Sequence, residues 1–209
     1  MPRPLRIIVP GLLYHVTHRG NDGRDIFHTV DDRRSYLRSL RYYADLFGIR
    51  FVAYALMTNH IHFVVITKDE TGLSKFISRL HSEHAQRMNA KYGLTGHLFG
   101  ERFFSNPFDP DVADTAVRYV ELNPVRAGIV ARAERYEFSS ARANALRLPD
   151  GVVLETWEPL RRIEDYTTWL HEPLADAALS AIRAASRRGR RVTRADLEGV
   201  SPRARTHGG

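Results

Sequence analysis

The sequence predicts an α+β domain built on a ferredoxin-like antiparallel sheet, with helices on one face and the other face free. Residues 51–67 contain two apolar, β-rich runs joined by Met57, Thr58 and Asn59, which is typical of two adjacent strands and a tight turn. Segments with helical periodicity lie on both sides of this strand pair. The predicted order is therefore strand, helix, strand, strand, helix, weak strand, helix.

The elements before and after the strand pair are predicted from periodicity and capping residues. Residues 11–19 form the first strand, and a helix begins after Thr29 or Asp31 and ends at Gly48. A long helix covers residues 73–92, with an apolar stripe on one side. Residues 103–108 form a weak strand that Pro107 places at an edge.

The third helix covers residues 111–123, and it ends or kinks at Asn123 because Pro124 disfavours helical geometry at the residue before it. Beyond residue 132 the pattern weakens, although residues 175–185 again have helical character. We therefore predict a folded domain over residues 1–145 and an extension, helical or disordered, over residues 146–209. Its tail, residues 183–205, contains eight arginines against Asp196 and Glu198.

The composition points to a polyanionic partner. Lys and Arg outnumber Asp and Glu by 31 to 24, and the pI is about 10.0. Nucleic acid is the first expectation and a membrane surface the second. The absence of cysteine excludes disulfides and thiol nucleophiles and fits a cytosolic protein. No run of eighteen apolar residues occurs, so we expect a soluble protein that is neither exported nor embedded in a membrane.

His60 and His62 begin the second strand of the pair. Side chains two residues apart point to the same face of a strand, so these imidazoles share one surface with Val64 and Ile66. Two imidazoles on a rigid strand can chelate one cation with little loss of conformational entropy. A His-x-His pattern also fits an ordinary polar strand edge, so the pattern alone leaves both interpretations open.

Tyr119 and Asn123 lie four residues apart and therefore on the same side of the third helix, next to its buried stripe. Such a tyrosine usually packs with its hydroxyl in water, and an asparagine before proline is usually a turn residue. His81 and His84 lie three apart on the second long helix, where we expect a solvated face because no carboxylate partner is evident. The sequence gives even less basis for assigning a role to His15, His18 or His97.

Four segments together resemble the single-tyrosine HUH (His–hydrophobic–His) transposases, and among them the REP-associated tyrosine transposases of bacteria. The first two are residues 59–62 (NHIH) and 119–128 (YVELNPVRAG). Residues 14–21 (YHVTHRGN) and the loop 96–99 (GHLF) are also similar to that group. The resemblance covers roughly residues 1–145.

The resemblance implies a metal-dependent reaction on DNA. The family's metal ligands fall on His60, His62 and Asn123, which would hold Mg²⁺ or Mn²⁺. The family's nucleophile falls on Tyr119, which would form a 5′-phosphotyrosyl link and release a 3′-hydroxyl. The bond energy stays in this ester, so strand transfer needs no ATP, and the sequence has no phosphate-binding Gly-x-x-x-x-Gly-Lys loop.

The resemblance also implies the partner, which is single-stranded DNA with hairpin-forming palindromes. The protein is expected to be a monomer or homodimer near the nucleoid in the bacterial cytoplasm. Tyr14, Tyr54 and Phe104 are aromatic residues that either stack on bases or, as is more usual, belong to the core. The arginines expected to contact DNA phosphates are Arg3, Arg19, Arg102, Arg187, Arg188, Arg190 and Arg191.

Two other functions fit the residues. A non-catalytic nucleic-acid-binding protein on the same sheet would need the basic tail but neither His60 nor Tyr119. A metal-dependent RNA nuclease would use the histidines as acid and base and would keep its activity after Tyr119→Phe.

Overall fold

Four antiparallel strands form one sheet in the computed structural model, which describes residues 8–148, 150, 152, 160 and 162–199, without the side chains of residues 187 and 188. The strands are β1 (Leu13–Arg19), β2 (Ile49–Leu56), β3 (His60–Thr67) and β4 (Phe104–Phe108). Their order is β2-β3-β1-β4, and every neighbouring pair is antiparallel. This is the ferredoxin-like order, so the predicted α+β fold is confirmed.

Helices connect and follow these strands. They are α1 (Val30–Phe47), α2 (Gly72–Tyr92), α3 (Ala113–Glu121), α4 (Asn123–Arg126), α5 (Ala141–Leu146), α6 (Tyr166–His171), α7 (Asp176–Arg188) and α8 (Arg194–Leu197). Short 3₁₀ turns lie at Asn21–Gly23, Pro110–Val112 and Ala133–Arg135. The predicted start of α1 is confirmed, because Thr29 and Asp32 form a capping box there. Gly48 ends the helix in the left-handed conformation.

Helices α1 and α2 cover the first face of the sheet, as predicted. The core on this side contains Tyr36, Phe51, Phe63 and Phe76, each at most 1% exposed. Tyr14 and Tyr54 belong to the same core and are not placed to stack on a nucleic acid. These aromatic side chains pack in one core between the sheet and its two helices.

The prediction that His81 and His84 lie on a solvated face is wrong, since both are buried. His81 bonds His18 through the two Nδ1 atoms (2.8 Å) and Tyr36 Oη through Nε2 (2.8 Å), while His84 Nε2 donates to the Ile26 carbonyl (2.7 Å). These partners come from other elements of the chain, so no local spacing reveals them. They offset the cost of removing the imidazoles from water.

The prediction of a free second face is also wrong. Helix α3 packs against β2 and β3 on this face, and α7 packs against β4 and β1. Val52, Ala55 and Val64 point to this side and join a core with Val117 and Val120 of α3. Strands β2 and β3 are thus apolar on both faces, and leaving one in water would cost roughly 25 cal/mol for each Å² exposed.

The described part of the extension contributes to this second core, with Leu170 of α6 and Ile182 of α7 both fully buried. Glu121 of α3, also fully buried, accepts hydrogen bonds from Ser140, Asn144 and Tyr166 at 2.6, 2.7 and 2.9 Å. Burial raises the pKa of the Glu121 carboxyl to about 7. The division at residue 145 remains a prediction. No described helix combines the length and apolarity that crossing a bilayer requires.

Candidate active site

A cleft of about 430 Å³ lies on the second face, where α3 and α4 approach β1 and β3. It is lined by all four residues predicted for the chemistry, namely His60, His62, Tyr119 and Asn123. Other lining residues are Thr17, Arg19, Met57, Phe104, Arg126, Arg183 and Ser186. The fold therefore brings together residues that are about sixty positions apart in the sequence.

Strand β3 places both histidines on the cleft side. The rings of His60 and His62 meet edge to face with centroids 4.9 Å apart. His60 Nδ1 lies 2.6 Å from Asn59 Oδ1, and a carbonyl oxygen can only accept, so this nitrogen carries the proton. The Nε2 atom of His60 is thus left with its lone pair, as a metal ligand requires.

Gly20 holds the turn that carries these histidines. Its backbone N–H donates to the Asn59 carbonyl at 2.8 Å, and the Asn59 amide donates to the Gly23 carbonyl at 3.1 Å. A Cβ atom at Gly20 would lie 2.0 Å from the Arg24 carbonyl oxygen. Only glycine fits at this close approach, which links the loop after β1 to the metal-ligand candidates.

The junction of α3 and α4 explains the segment that begins at Tyr119. Pro124 has no N–H to donate to the carbonyl of Val120 four residues earlier. The Asn123 side chain replaces it, because its amide nitrogen donates to the carbonyls of Tyr119 (3.0 Å) and Val120 (3.3 Å). The amide oxygen of Asn123 therefore points away from the helix backbone, and the residue lines the cleft.

Tyr119 itself is 7% exposed. Its ring meets His62 and His15 edge to face, with centroid distances of 6.0 and 5.5 Å. These contacts place the phenol ring of α3 against two imidazoles of the sheet.

His15 is a site residue that sequence reasoning missed. It lies on β1 next to β3, and its ring is nearly parallel to that of His62, with centroids 5.2 Å apart and an interplanar angle of 6°. His15 Nε2 is 2.9 Å from His62 Nδ1. The spacing His15, Thr17, Arg19 is a two-residue alternation that could have placed these side chains on one face. The pairing of β1 with β3 was needed to show which face.

Cations without carboxylate partners line the cleft. Within the part of the chain that the structure describes, Arg19, Arg126 and Arg183 make no ion pair with Asp or Glu. Nη1 of Arg126 is buried and bonds no atom of the described residues. Burial lowers the pKa of Arg126 to about 10, opposed by the nearby Tyr119. Such a set of cations favours an anionic ligand. Arg126 and Arg183 were not among the predicted DNA contacts.

The imidazoles of the cleft are neutral. Burial lowers the pKa of His60 to about 4, and the nearby positive charge of Arg19 adds to this effect. Burial also lowers the pKa of His62 well below its usual value. Burial likewise lowers the pKa of His15 to about 3, with the charge of Arg126 contributing. Neutral imidazoles carry a lone pair and are able to bind a cation.

The donor set fits a divalent cation without a carboxylate. Among the described residues, no group of three or more His, Cys, Asp or Glu side chains could hold a metal ion. The candidates are therefore two imidazole nitrogens and the amide oxygen of Asn123, which by ligand type suit Mn²⁺ or Mg²⁺. Such a site leaves coordination positions for phosphate oxygens or water.

The other predicted arginines lie elsewhere, and their contacts with DNA remain predictions. Arg102 lines a separate cleft of about 620 Å³ between α2 and the loop before β4. Arg190 pairs with Asp196 at 2.7 Å, and Arg191 pairs with Asp109. Arg3 and the side chains of Arg187 and Arg188 lie outside the described residues.

Residues 8–123 match the family model described as "Transposase IS200 like". Among solved structures, the chain is similar to a REP-associated tyrosine transposase bound to a REP hairpin, with 18% identity and a TM-score of 0.56 over 76% of this chain and 94% of that one. It is also similar to a putative transposase from Deinococcus radiodurans R1, with 18% identity and a TM-score of 0.39 over 57% and 96%. No curated protein matches the chain.

Proposed function

The chain belongs to the IS200-like transposase family, and we propose that it nicks and joins single-stranded DNA beside palindromic hairpins through a 5′-phosphotyrosine intermediate. One observation carries this proposal. The Tyr119 ring meets His62 edge to face in a cleft that also holds His60 and Asn123. A phenol, a pair of neutral imidazoles and unpaired guanidinium groups are the components that transesterification of a phosphodiester needs.

Tyr119 is the nucleophile in this scheme. Its phenolic oxygen forms a bond to phosphorus, the bond from phosphorus to the 3′ oxygen breaks, and that oxygen leaves as a hydroxyl. Joining is the reverse reaction with a 3′-hydroxyl from another strand. The phosphoester energy is kept at each stage, so no nucleotide triphosphate is consumed.

Arginines of three elements supply positive charge where the phosphate binds. Arg19 comes from β1, Arg126 from α4 and Arg183 from α7. Their charges offset the negative charge that grows on the phosphate oxygens in the transition state. A divalent cation held by His60, His62 and Asn123 would polarise the same phosphate.

Two further observations support a substrate that combines a single strand with a hairpin. Phe104 is 48% exposed at the rim of the cleft, where an aromatic side chain can stack on an unpaired base. The solved transposase of similar fold is bound to a REP hairpin, which supports a hairpin beside the single strand here as well.

The test is Tyr119→Phe incubated with Mn²⁺ and an end-labelled hairpin oligonucleotide that has single-stranded flanks. We expect loss of nicking and of the covalent protein–DNA adduct, with hairpin binding retained, because only the hydroxyl is removed. Tyr42→Phe, an exposed tyrosine on α1, is the matched control and should keep full activity. Nicking that persists in Tyr119→Phe would contradict the proposal and favour hydrolysis by the histidines. If the wild-type protein binds the hairpin but never nicks it, the result would favour a non-catalytic binding protein.

A further inference from the structure

A chain of hydrogen bonds leads from His62 into the protein interior. His62 Nδ1 lies 2.9 Å from His15 Nε2, and the other ring nitrogen of His15, Nδ1, lies 3.3 Å from Ser186 Oγ. Ser186 Oγ is 3.5 Å from Asn106 Oδ1. His15 is 1% exposed and Asn106 is fully buried, so bulk solvent does not reach either side chain.

The direction of the hydrogen bonds follows from the far end of this chain. The Ser186 hydroxyl donates to the carbonyl of Ile182 at 2.8 Å, one turn earlier in α7. A hydroxyl has one hydrogen to donate, and the Ile182 carbonyl is nearer than Asn106 Oδ1 or His15 Nδ1, so toward His15 the Ser186 oxygen accepts. His15 Nδ1 therefore carries the hydrogen. The ring is 1% exposed and bonds no carboxylate of the described chain, so it is uncharged and its Nε2 is an acceptor.

The position of the hydrogen on His15 determines the tautomer of His62. Because His15 Nε2 accepts, His62 Nδ1 donates, and the lone pair of a neutral His62 resides on Nε2. The opposite arrangement would place a hydrogen on Nε2, which then could not ligate a cation. Asn59 fixes His60 in the same tautomer through a separate contact.

We propose that His15, supported by Ser186, is a positioning residue that holds His62 in the tautomer able to bind a metal ion. The functional meaning of this tautomer rests on the proposed metal-dependent activity. Ser186 lies in α7, outside the residues 8–123 that match the family model. The C-terminal extension thus contributes to the chemistry of the cleft.

The first experiment needs no metal and no DNA. Long-range ¹H–¹⁵N correlation spectra of the full chain, assigned with His15→Gln and His62→Gln, report which ring nitrogen carries the proton. We expect Nδ1–H for both His15 and His62. An Nε2–H signal for His62 in the wild-type protein would overturn the proposal.

The second experiment measures Mn²⁺ affinity by calorimetry. His15→Phe keeps an aromatic ring but removes the acceptor, and we expect about 10- to 100-fold weaker binding, the usual effect of losing a partner behind a metal-binding histidine. His15→Gln can offer an amide oxygen to His62 Nδ1 and should restore part of the affinity. His97→Phe, an exposed histidine in the loop before β4, should bind Mn²⁺ as the wild type does.

The outcomes separate this inference from the proposed function. Equal Mn²⁺ affinity in wild type and a folded His15→Phe would overturn the positioning role alone. No Mn²⁺ binding in the wild type would contradict the metal dependence of the proposed function, and the tautomer spectra would still decide the role of His15. If His15→Phe fails to fold, the tautomer spectra of the wild type and the Mn²⁺ affinity of His15→Gln test the positioning role instead.

Discussion

The guanidinium carbon of Arg126 lies 4.4 Å from the centre of the Tyr119 ring. The two residues are seven positions apart, and the break at Pro124 lets α4 carry Arg126 back over the end of α3. The same guanidinium donates to the Tyr119 carbonyl. Its Nη1 atom is buried and has no hydrogen-bond partner among the described residues, so it is a candidate donor beside the proposed nucleophile.

Arg126→Gln should lower the single-turnover rate of nicking about 100-fold, which is the usual loss when one donor to a developing oxyanion is removed. Arg126→Lys keeps the charge but loses the planar guanidinium group with its paired donors. Its nicking rate should therefore lie between those of the wild type and Arg126→Gln. Binding of the hairpin should change less than the rate. A wild-type rate in Arg126→Gln would show that this cation plays no part in the reaction.

Arg183 tests the contribution of the C-terminal extension to DNA binding. If Arg183 contacts a phosphate, Arg183→Gln should reduce the slope of log affinity against log salt by about one. Arg79→Gln, an exposed arginine of α2 on the opposite face, is the control and should leave the slope unchanged. Fluorescence anisotropy with a single-stranded oligonucleotide at several salt concentrations gives both slopes. Identical slopes for Arg183→Gln and wild type would remove Arg183 from the interface.

Phe104 tests the stacking contact at the cleft rim. Phe104→Ala should weaken binding of single-stranded DNA by roughly 1–3 kcal/mol, the range measured for loss of a base-stacking aromatic residue. The side chain is 48% exposed, so the free energy of unfolding should change little. Tyr42→Ala, 63% exposed on α1, controls for loss of a surface aromatic and should not affect affinity. Unchanged affinity in Phe104→Ala would exclude stacking there.

Glu121 makes stability depend on pH. The pKa of this carboxyl is raised to about 7 in the folded protein, against about 4.3 in an unfolded chain. Between these values the folded state holds a proton that the unfolded state releases, so the free energy of unfolding falls as pH rises. The loss across this window should approach about 3 kcal/mol. Glu121→Gln should abolish it, as measured by urea unfolding between pH 5 and 8.

The control for this prediction is Glu137→Gln, since Glu137 is exposed and pairs with Arg34 at the surface. Its pH dependence should follow the wild type. A Glu121→Gln variant with the same pH dependence as wild type would contradict the raised pKa.

Local sequence patterns predicted the secondary structure well, because the signals are local. The Thr29 cap, the glycine after α1 and the alternation around His60 and His62 all act within a few residues. Pro124 indicated a break in the third helix, and the break falls at Leu122, two residues before the proline, so that Asn123 already belongs to α4. The four residues of the predicted active site share one cleft because a strand and a helix of predicted register place them there.

The parts that could not be predicted depend on contacts between distant segments. His15 reaches His62 only through the pairing of β1 with β3, and Ser186 reaches His15 only because α7 covers the second face. No periodicity in the sequence encodes either contact. The burial of His81 has the same cause, since its partners His18 and Tyr36 come from β1 and α1.

The central claim is that Tyr119 becomes covalently linked to DNA, and mass spectrometry of the trapped adduct tests it most directly. The wild-type protein is incubated with Mn²⁺ and a hairpin oligonucleotide, digested with protease and nuclease, and the modified peptide is sequenced by tandem fragmentation. We predict a nucleotide attached through its 5′-phosphate to Tyr119. A phosphonucleotide on a different side chain, or cleaved DNA with no adduct at any time point, would contradict the account.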